Sequence, residues 1–193
     1  MAERFEIRLA GSGGQGLILA GIILAEAAGV YDGKFVCQTQ SYGPEARGGA
    51  SKAEVVISDA PIDYPKAIRP DVLLALNQKS IETFSSDLKP GGLLLVDADL
   101  VKEAPAGRVL ALPFTRIARE LGRAMAANIV ALGALIQLTG AVSLDSLTAA
   151  VLARVPKGTE DLNKKALAAG VAAAKACGTE SAPEESGEKT EAM

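Results

Sequence analysis

Apolar residues along this chain follow two rhythms. Phe5-Glu-Ile-Arg-Leu alternates with a period of two, the signature of a strand, and stops at a glycine cluster. Residues 17–28 are apolar on nearly every face, which predicts a helix buried against a sheet and its neighbours. Two further strands are expected over 34–40 and 52–57, with a polar, glycine-rich loop between them. Segments 71–76, 93–96 and 108–112 are short apolar runs, the pattern of strands covered on both faces. A short helix over 78–88 ends at Lys89-Pro-Gly-Gly92. After Pro113 the pattern turns helical, near 115–122, 125–139, 144–154 and 160–176. The expected fold is α/β and Rossmann-like: three layers, a mainly parallel sheet with helices on both faces, and a helical C-terminal third.

Composition narrows the chemistry. Of 193 residues 49% are apolar but only 4% aromatic, with no Trp, so the core must be built from Ala, Val, Leu and Ile. There is no His, and the two cysteines, Cys37 and Cys177, belong to no CxxC pair. Ser-His-Asp catalysis, His-ligated zinc and a self-contained four-cysteine iron–sulfur site are therefore excluded. The uncharged stretch from Ala124 to Leu144 contains Asn128, Gln137 and Thr139 and reads as a buried helix plus a turn, not a membrane span. No signal peptide is expected, because Glu6, Arg8 and glycines interrupt the N-terminal apolar run.

The net charge of −3 hides a division: residues 178–193 hold five Glu and one Lys, and the remainder is close to neutral. That acidic tail lacks apolar periodicity and is expected to be disordered, leaving one domain over 1–177. No basic stripe interleaves with aromatics, so no nucleic-acid partner is expected. The cytoplasm is the expected compartment.

Two loops carry candidate chemistry. Gly11, Ser12, Gly13, Gly14, Gln15 and Gly16 follow the first strand and open a helix, with glycines at the G-x-G-x-x-G spacing. Backbone amides bare of side chains, at a helix start, suit an anion, and Ser12 and Gln15 offer side-chain hydrogen bonds. A dinucleotide site also needs an acid near the end of the second strand, which here ends Gln38-Thr-Gln40; Asp32 precedes the strand, in a turn. The nicotinamide fingerprint is thus incomplete. Another anionic ligand, or a purely structural tight turn, remains open. In the second loop Ser41, Tyr42, Gly43, Pro44, Glu45, Ala46, Arg47, Gly48 and Gly49 gather two hydroxyls, a carboxylate and a guanidinium. Arg47 is able to grip a carboxylate or phosphate bidentately; the alternative is a solvated surface turn.

Together these loops resemble the gamma subunit of 2-oxoacid:ferredoxin oxidoreductases, closest to the 2-oxoglutarate type. Val56-Ile-Ser-Asp59, Leu76-Asn-Gln-Lys-Ser80, Leu88-Lys-Pro-Gly-Gly92, and Asn128 with Leu132-Gly-Ala134 match in order, so the resemblance spans about Phe5 to Gly170. It implies oxidative decarboxylation of a 2-oxoacid with coenzyme A, yielding an acyl-CoA, carbon dioxide and reduced ferredoxin. It further implies that alpha and beta subunits hold thiamine diphosphate and Mg2+, with iron–sulfur clusters in beta or a ferredoxin-like delta subunit. This chain would hold no cofactor alone. Its two loops would face the shared active site and help to receive coenzyme A, or else only contact other subunits. A stand-alone nucleotide- or CoA-binding module is the alternative function class, and pyruvate or branched 2-oxoacids are the alternative substrates. Asn77 and Ser80 are expected to cap a helix, and Asp97 and Asp99 to serve as turn and cap residues.

Overall fold

A computed structural model describes residues 4–42 and 50–179. Six strands form one sheet: β1 (Arg4–Ser12), β2 (Phe35–Tyr42), β3 (Ala50–Ser58), β4 (Val72–Ala75), β5 (Leu93–Asp97) and β6 (Val109–Leu112). Their order across the sheet is β2-β3-β1-β4-β5-β6. Pairs β1–β4, β4–β5 and β5–β6 are parallel, whereas β3 runs antiparallel to both β1 and β2. Five strands therefore point one way and β3 alone points the other. Among the described residues six α-helices accompany them: α1 (Leu17–Glu26), α2 (Gln78–Phe84), α3 (Phe114–Glu120), α4 (Ala127–Thr139), α5 (Leu144–Arg154) and α6 (Glu160–Thr179). Helix α1 winds on into a wider π-helical turn over Ala27–Tyr31. Helix α6 extends two residues past the domain end expected at 177, and the rest of the acidic tail lies outside the described residues.

The apolar runs do what their pattern asks. Every residue of β4 and β5 is buried, as strands sandwiched between two layers must be. Ile7, Leu9, Val55, Leu74 and Leu95 face the main core, which α1, α4, α5 and α6 complete. Ala10, Leu73, Ala75, Leu94 and Val96 face the other way, against Ile81 and Phe84 of α2. Helices thus lie on both faces, but unequally.

Under β1 and β3 the second face carries charged residues, and the Phe84 ring of α2 lies over Arg8 and Lys52, its centre 5.3 and 5.5 Å from their charged groups. Alternation alone would send Glu6 and Arg8 to water, yet they are 6% and 4% exposed. Arg8 Nε donates to Glu54 Oε1 at 2.9 Å, Nη2 donates to the Ala67 carbonyl at 3.0 Å, and Nη1 pairs with Asp87. Glu6 Oε2 accepts from the amides of Ile68 and Arg69. Buried charge is tolerated here because each partner is satisfied, and the same bonds hold the segment before β4 onto the sheet.

On the helical side, α4 is buried all round, from Asn128 to Ile136. A methyl group on Gly133 would lie 2.2 Å from the Leu167 carbonyl oxygen, and one on Gly170 only 1.9 Å from that of Val130. These two glycines let α4 and α6 approach backbone to backbone.

Candidate functional site

Strand pairing brings the end of β1, which leads into the glycine loop, beside the strand ends that flank segment 43–49. Gly11 is opposite Ser51 and Ser12 opposite Ala50, while Tyr42 is also opposite Ser51. The glycine loop leaves the end of β1, and segment 43–49 joins the end of β2 to the start of β3, at the same end. Ser41 is exposed there, and Tyr42 closes the strand. Gly43, Glu45, Arg47, Gly48 and Gly49 lie outside the described residues.

The glycine loop is a tight turn. The Gln15 amide donates to the Ser12 carbonyl at 3.1 Å, and Gly14 and Gly16 take positive φ angles of 95° and 72°. Gly16 is the N-cap of α1, so the first amides of that helix, which no helix satisfies internally, open beside the exposed Gly13 and Gly14. The side chain of Gln15 turns inward. Its Oε1 accepts from the Ser12 amide at 2.6 Å and its Nε2 donates to the Leu76 carbonyl at 3.1 Å. Gln15 thereby ties the end of β1 to the end of β4.

Two asparagines brace the loop from outside. Asn77 is the N-cap of α2, its Oδ1 accepting from the Ser80 amide at 2.8 Å; its Nδ2 donates to Ser12 Oγ at 2.7 Å. Asn128, 4% exposed, donates from Nδ2 to the Gly16 carbonyl at 3.0 Å, while its Oδ1 accepts from the Ile129 amide. Capping was legible for Asn77. Its second bond, to a residue 65 positions away, was not.

Asp32 serves no ribose. Its carboxylate accepts from the Ser143 amide at 2.8 Å, from Ser143 Oγ at 2.9 Å and from Ser146 Oγ at 2.5 Å, at the start of α5. Burial opposes its charge, but the bonds from Ser146 and Ser143, with Lys34 nearby, outweigh burial and hold its carboxyl below the ordinary value. Asp97 and Asp99 are cap residues, as expected. Asp97 accepts from Thr115 N and Oγ1, and Asp99 from the Arg116 amide, at the start of α3.

Beside the loop lies a groove of about 190 Å3 between Gly14, Gly16, Ile129 and Val155, with Arg123 and the 72%-exposed Met125 on it. No local sequence signal marked Arg123 or Met125, because only the packing of α1, α4 and α6 brings them to the glycines. Among the described residues no three of His, Cys, Asp and Glu converge as metal ligands. None of the described helices is long and apolar enough to cross a membrane.

Residues 6–173 match the model of the pyruvate ferredoxin/flavodoxin oxidoreductase family. The chain belongs to that family. It is 55% identical over 177 residues to the KorC subunit of 2-oxoglutarate synthase from Methanocaldococcus jannaschii, covering 89% of this chain and 95% of the relative. Its fold is similar to that of the keto/oxoacid ferredoxin oxidoreductase gamma subunit from Geobacter sulfurreducens, with a TM-score of 0.81 and 52% identity over 89% of this chain and 99% of the other. It also matches part of the 2-oxoglutarate:ferredoxin oxidoreductase from Magnetococcus marinus, solved with 2-oxoglutarate, coenzyme A and succinyl-CoA bound. There the TM-score is 0.81 at 26% identity, over 90% of this chain but 31% of the longer one. The gamma-subunit resemblance read from the two loops and the ordered motifs is thereby confirmed, and the chain is a subunit type of a heteromeric oxidoreductase.

Proposed function

We propose that this chain is the gamma subunit of a 2-oxoglutarate:ferredoxin oxidoreductase, and that its glycine loop and its 41–49 loop together receive coenzyme A. The complex would convert 2-oxoglutarate, coenzyme A and oxidised ferredoxin to succinyl-CoA, carbon dioxide and reduced ferredoxin, in the cytoplasm. The observation that supports the ligand part is the register pairing Ser12 with Ala50 and Tyr42 with Ser51, which brings the end of β1 beside the strand ends flanking segment 43–49. Coenzyme A is polyanionic. Amides at Gly13, Gly14 and Gly16 and the guanidinium of Arg47 have the complementary chemistry.

The cofactors of such a reaction belong to the partners in this reading. Thiamine diphosphate with Mg2+ and iron–sulfur clusters need acidic and cysteine ligand sets, and the only cysteines here, Cys37 and Cys177, are 140 positions apart. Alpha and beta subunits, with a delta subunit in some complexes, would hold them and pass electrons to ferredoxin. This chain's residues would bind and orient the thiol carrier.

The test is a tagged, anaerobic pull-down assayed for CoA-dependent viologen reduction with 2-oxoglutarate and with pyruvate. Recovery of partner subunits with a preference for 2-oxoglutarate is expected; a preference for pyruvate would reassign the substrate. In the assembled complex Arg47→Ala should raise the KM for coenzyme A about tenfold, the scale of losing a charged hydrogen bond. An unchanged KM with full assembly would leave the loops as subunit contacts only.

A further inference from the structure

Ser12 and Asn77 meet where the connections of the sheet part company. Strands β1 and β4 are parallel neighbours, with Ala10 opposite Ala75. From β1 the chain enters α1, whose Leu17, Ala20 and Ile23 join the main core; from β4 it enters α2, whose Ile81 packs on the opposite face. In open α/β sheets a crevice of this kind, at the carboxyl ends of two such strands, is where ligands bind.

The hydrogen bonds at that point are ordered by their chemistry. Asn77 Oδ1 is engaged by the Ser80 amide, so the end of the side chain turned to Ser12 must be the NH2 group. Ser12 Oγ therefore accepts. A hydroxyl has one proton, and an oxygen already accepting from Asn77 keeps that proton for another acceptor. The Ser12 amide is meanwhile engaged by Gln15 Oε1, so the hydroxyl is the polar group that Ser12 has left to offer. Half-buried beside the exposed Gly13 and Gly14, it is a donor of fixed sense in front of the glycine loop.

We propose that Asn77 is a positioning residue: it holds the Ser12 hydroxyl as a donor to an anionic oxygen of the ligand at the glycine loop. Resting on the reading above, that oxygen is a phosphate oxygen of coenzyme A. The substitution that isolates the effect is Asn77→Asp. One carboxylate oxygen still caps α2 through the Ser80 amide, because Asp is as good an N-cap as Asn. The other oxygen only accepts, so it takes the Ser12 proton and turns the hydroxyl away from the ligand.

The experiment uses the complex assembled with its partner subunits and carrying Ser12→Ala, Ser12→Thr, Asn77→Asp or the Ser12→Ala/Asn77→Asp pair, with Arg47→Ala as comparator. Ser12→Ala and Asn77→Asp should each raise the KM for coenzyme A about tenfold, with kcat within about twofold and the KM for 2-oxoglutarate unchanged. Ser12→Thr, which keeps a hydroxyl, should stay near the parent. The melting temperature of Asn77→Asp should match the parent, and the double variant should be no worse than either single one. A parental KM for Asn77→Asp overturns the proposal. So does an additive double variant, which would mean that Asn77 acts on the ligand by charge and not through Ser12. If Arg47→Ala raises the KM while the Ser12 and Asn77 variants do not, this proposal fails and the coenzyme A reading stands. If none of them does, both fail.

Discussion

At the scale of single residues, the glycine loop depends on contacts that its own segment does not contain. Gly16 needs its left-handed backbone, and a methyl group there would lie 2.5 Å from Asn128 Nδ2. Gly16→Ala should therefore cost about 1 kcal/mol for the backbone alone and push Asn128 off the Gly16 carbonyl. Urea denaturation reads the first effect, and a raised KM for coenzyme A in the assembled complex reads the second. Asp32 offers a test in pH. Its folded carboxyl lies below the ordinary value of 3.8, so its stabilising contribution is present above that value and lost as pH falls through the lower, folded value. Asp32→Asn should be less stable than the parent at neutral pH, by a modest margin because the group is partly exposed, and the gap should close under acid. Urea midpoints taken between pH 7 and pH 2.5 would show it. A constant gap would mean that the charge is not what Ser143 and Ser146 recognise. The sequence made Gln15 a plausible ligand contact, because a side-chain amide after two glycines looks free. What it could not show was the Leu76 carbonyl waiting 3.1 Å away.

Secondary-structure elements were legible because each has an unambiguous rhythm. Strand β5 is an apolar run closed by Asp97 and buried throughout, and α4 is an uncharged helix buried from Asn128 to Ile136. Their mutual approach was not legible. In an isolated helix Gly133 and Gly170 would each be a weak point, since glycine lowers helix propensity by about 1 kcal/mol. In the packed protein they permit the α4–α6 contact, so replacing Gly170 by Ala should destabilise, although in an isolated helix it would stabilise. A methyl group 1.9 Å from the Val130 oxygen forces the helices apart, at a cost of about 1–3 kcal/mol, measurable as a lowered melting temperature. The buried ion network under β1 and β3 gives a second test at this scale. Arg8→Met would leave the 4%-exposed Glu54 with Lys52 as its remaining cation, at 3.0 Å. A loss of about 3 kcal/mol is expected, the lower end for breaking a buried pair, because Lys52 keeps part of the compensation. A stability within about 0.5 kcal/mol of the parent would show that Lys52 suffices.

For the whole molecule the consequence is dependence on partners. A chain with two distant cysteines and no His offers neither a cluster nor a nucleophile–base pair, so the purified subunit should reduce no viologen with 2-oxoglutarate and coenzyme A. Activity should appear on adding the partner subunits; turnover by the chain alone would refute the assignment. The sequence by itself determined the layered α/β class, the order of the elements and the family. Each of these is written in local rhythm or in motifs of a few consecutive residues. Only the tertiary structure decided that the end of β1 lies beside the strand ends flanking segment 43–49, that β3 runs against its neighbours, that Gln15 reaches the Leu76 carbonyl, and that Asn77 and Asn128 brace the glycines. The side-chain braces rest on hydrogen bonds between residues 61 to 112 positions apart and the register on strand pairs 9 to 54 apart, and no motif of a few consecutive residues encodes such partners.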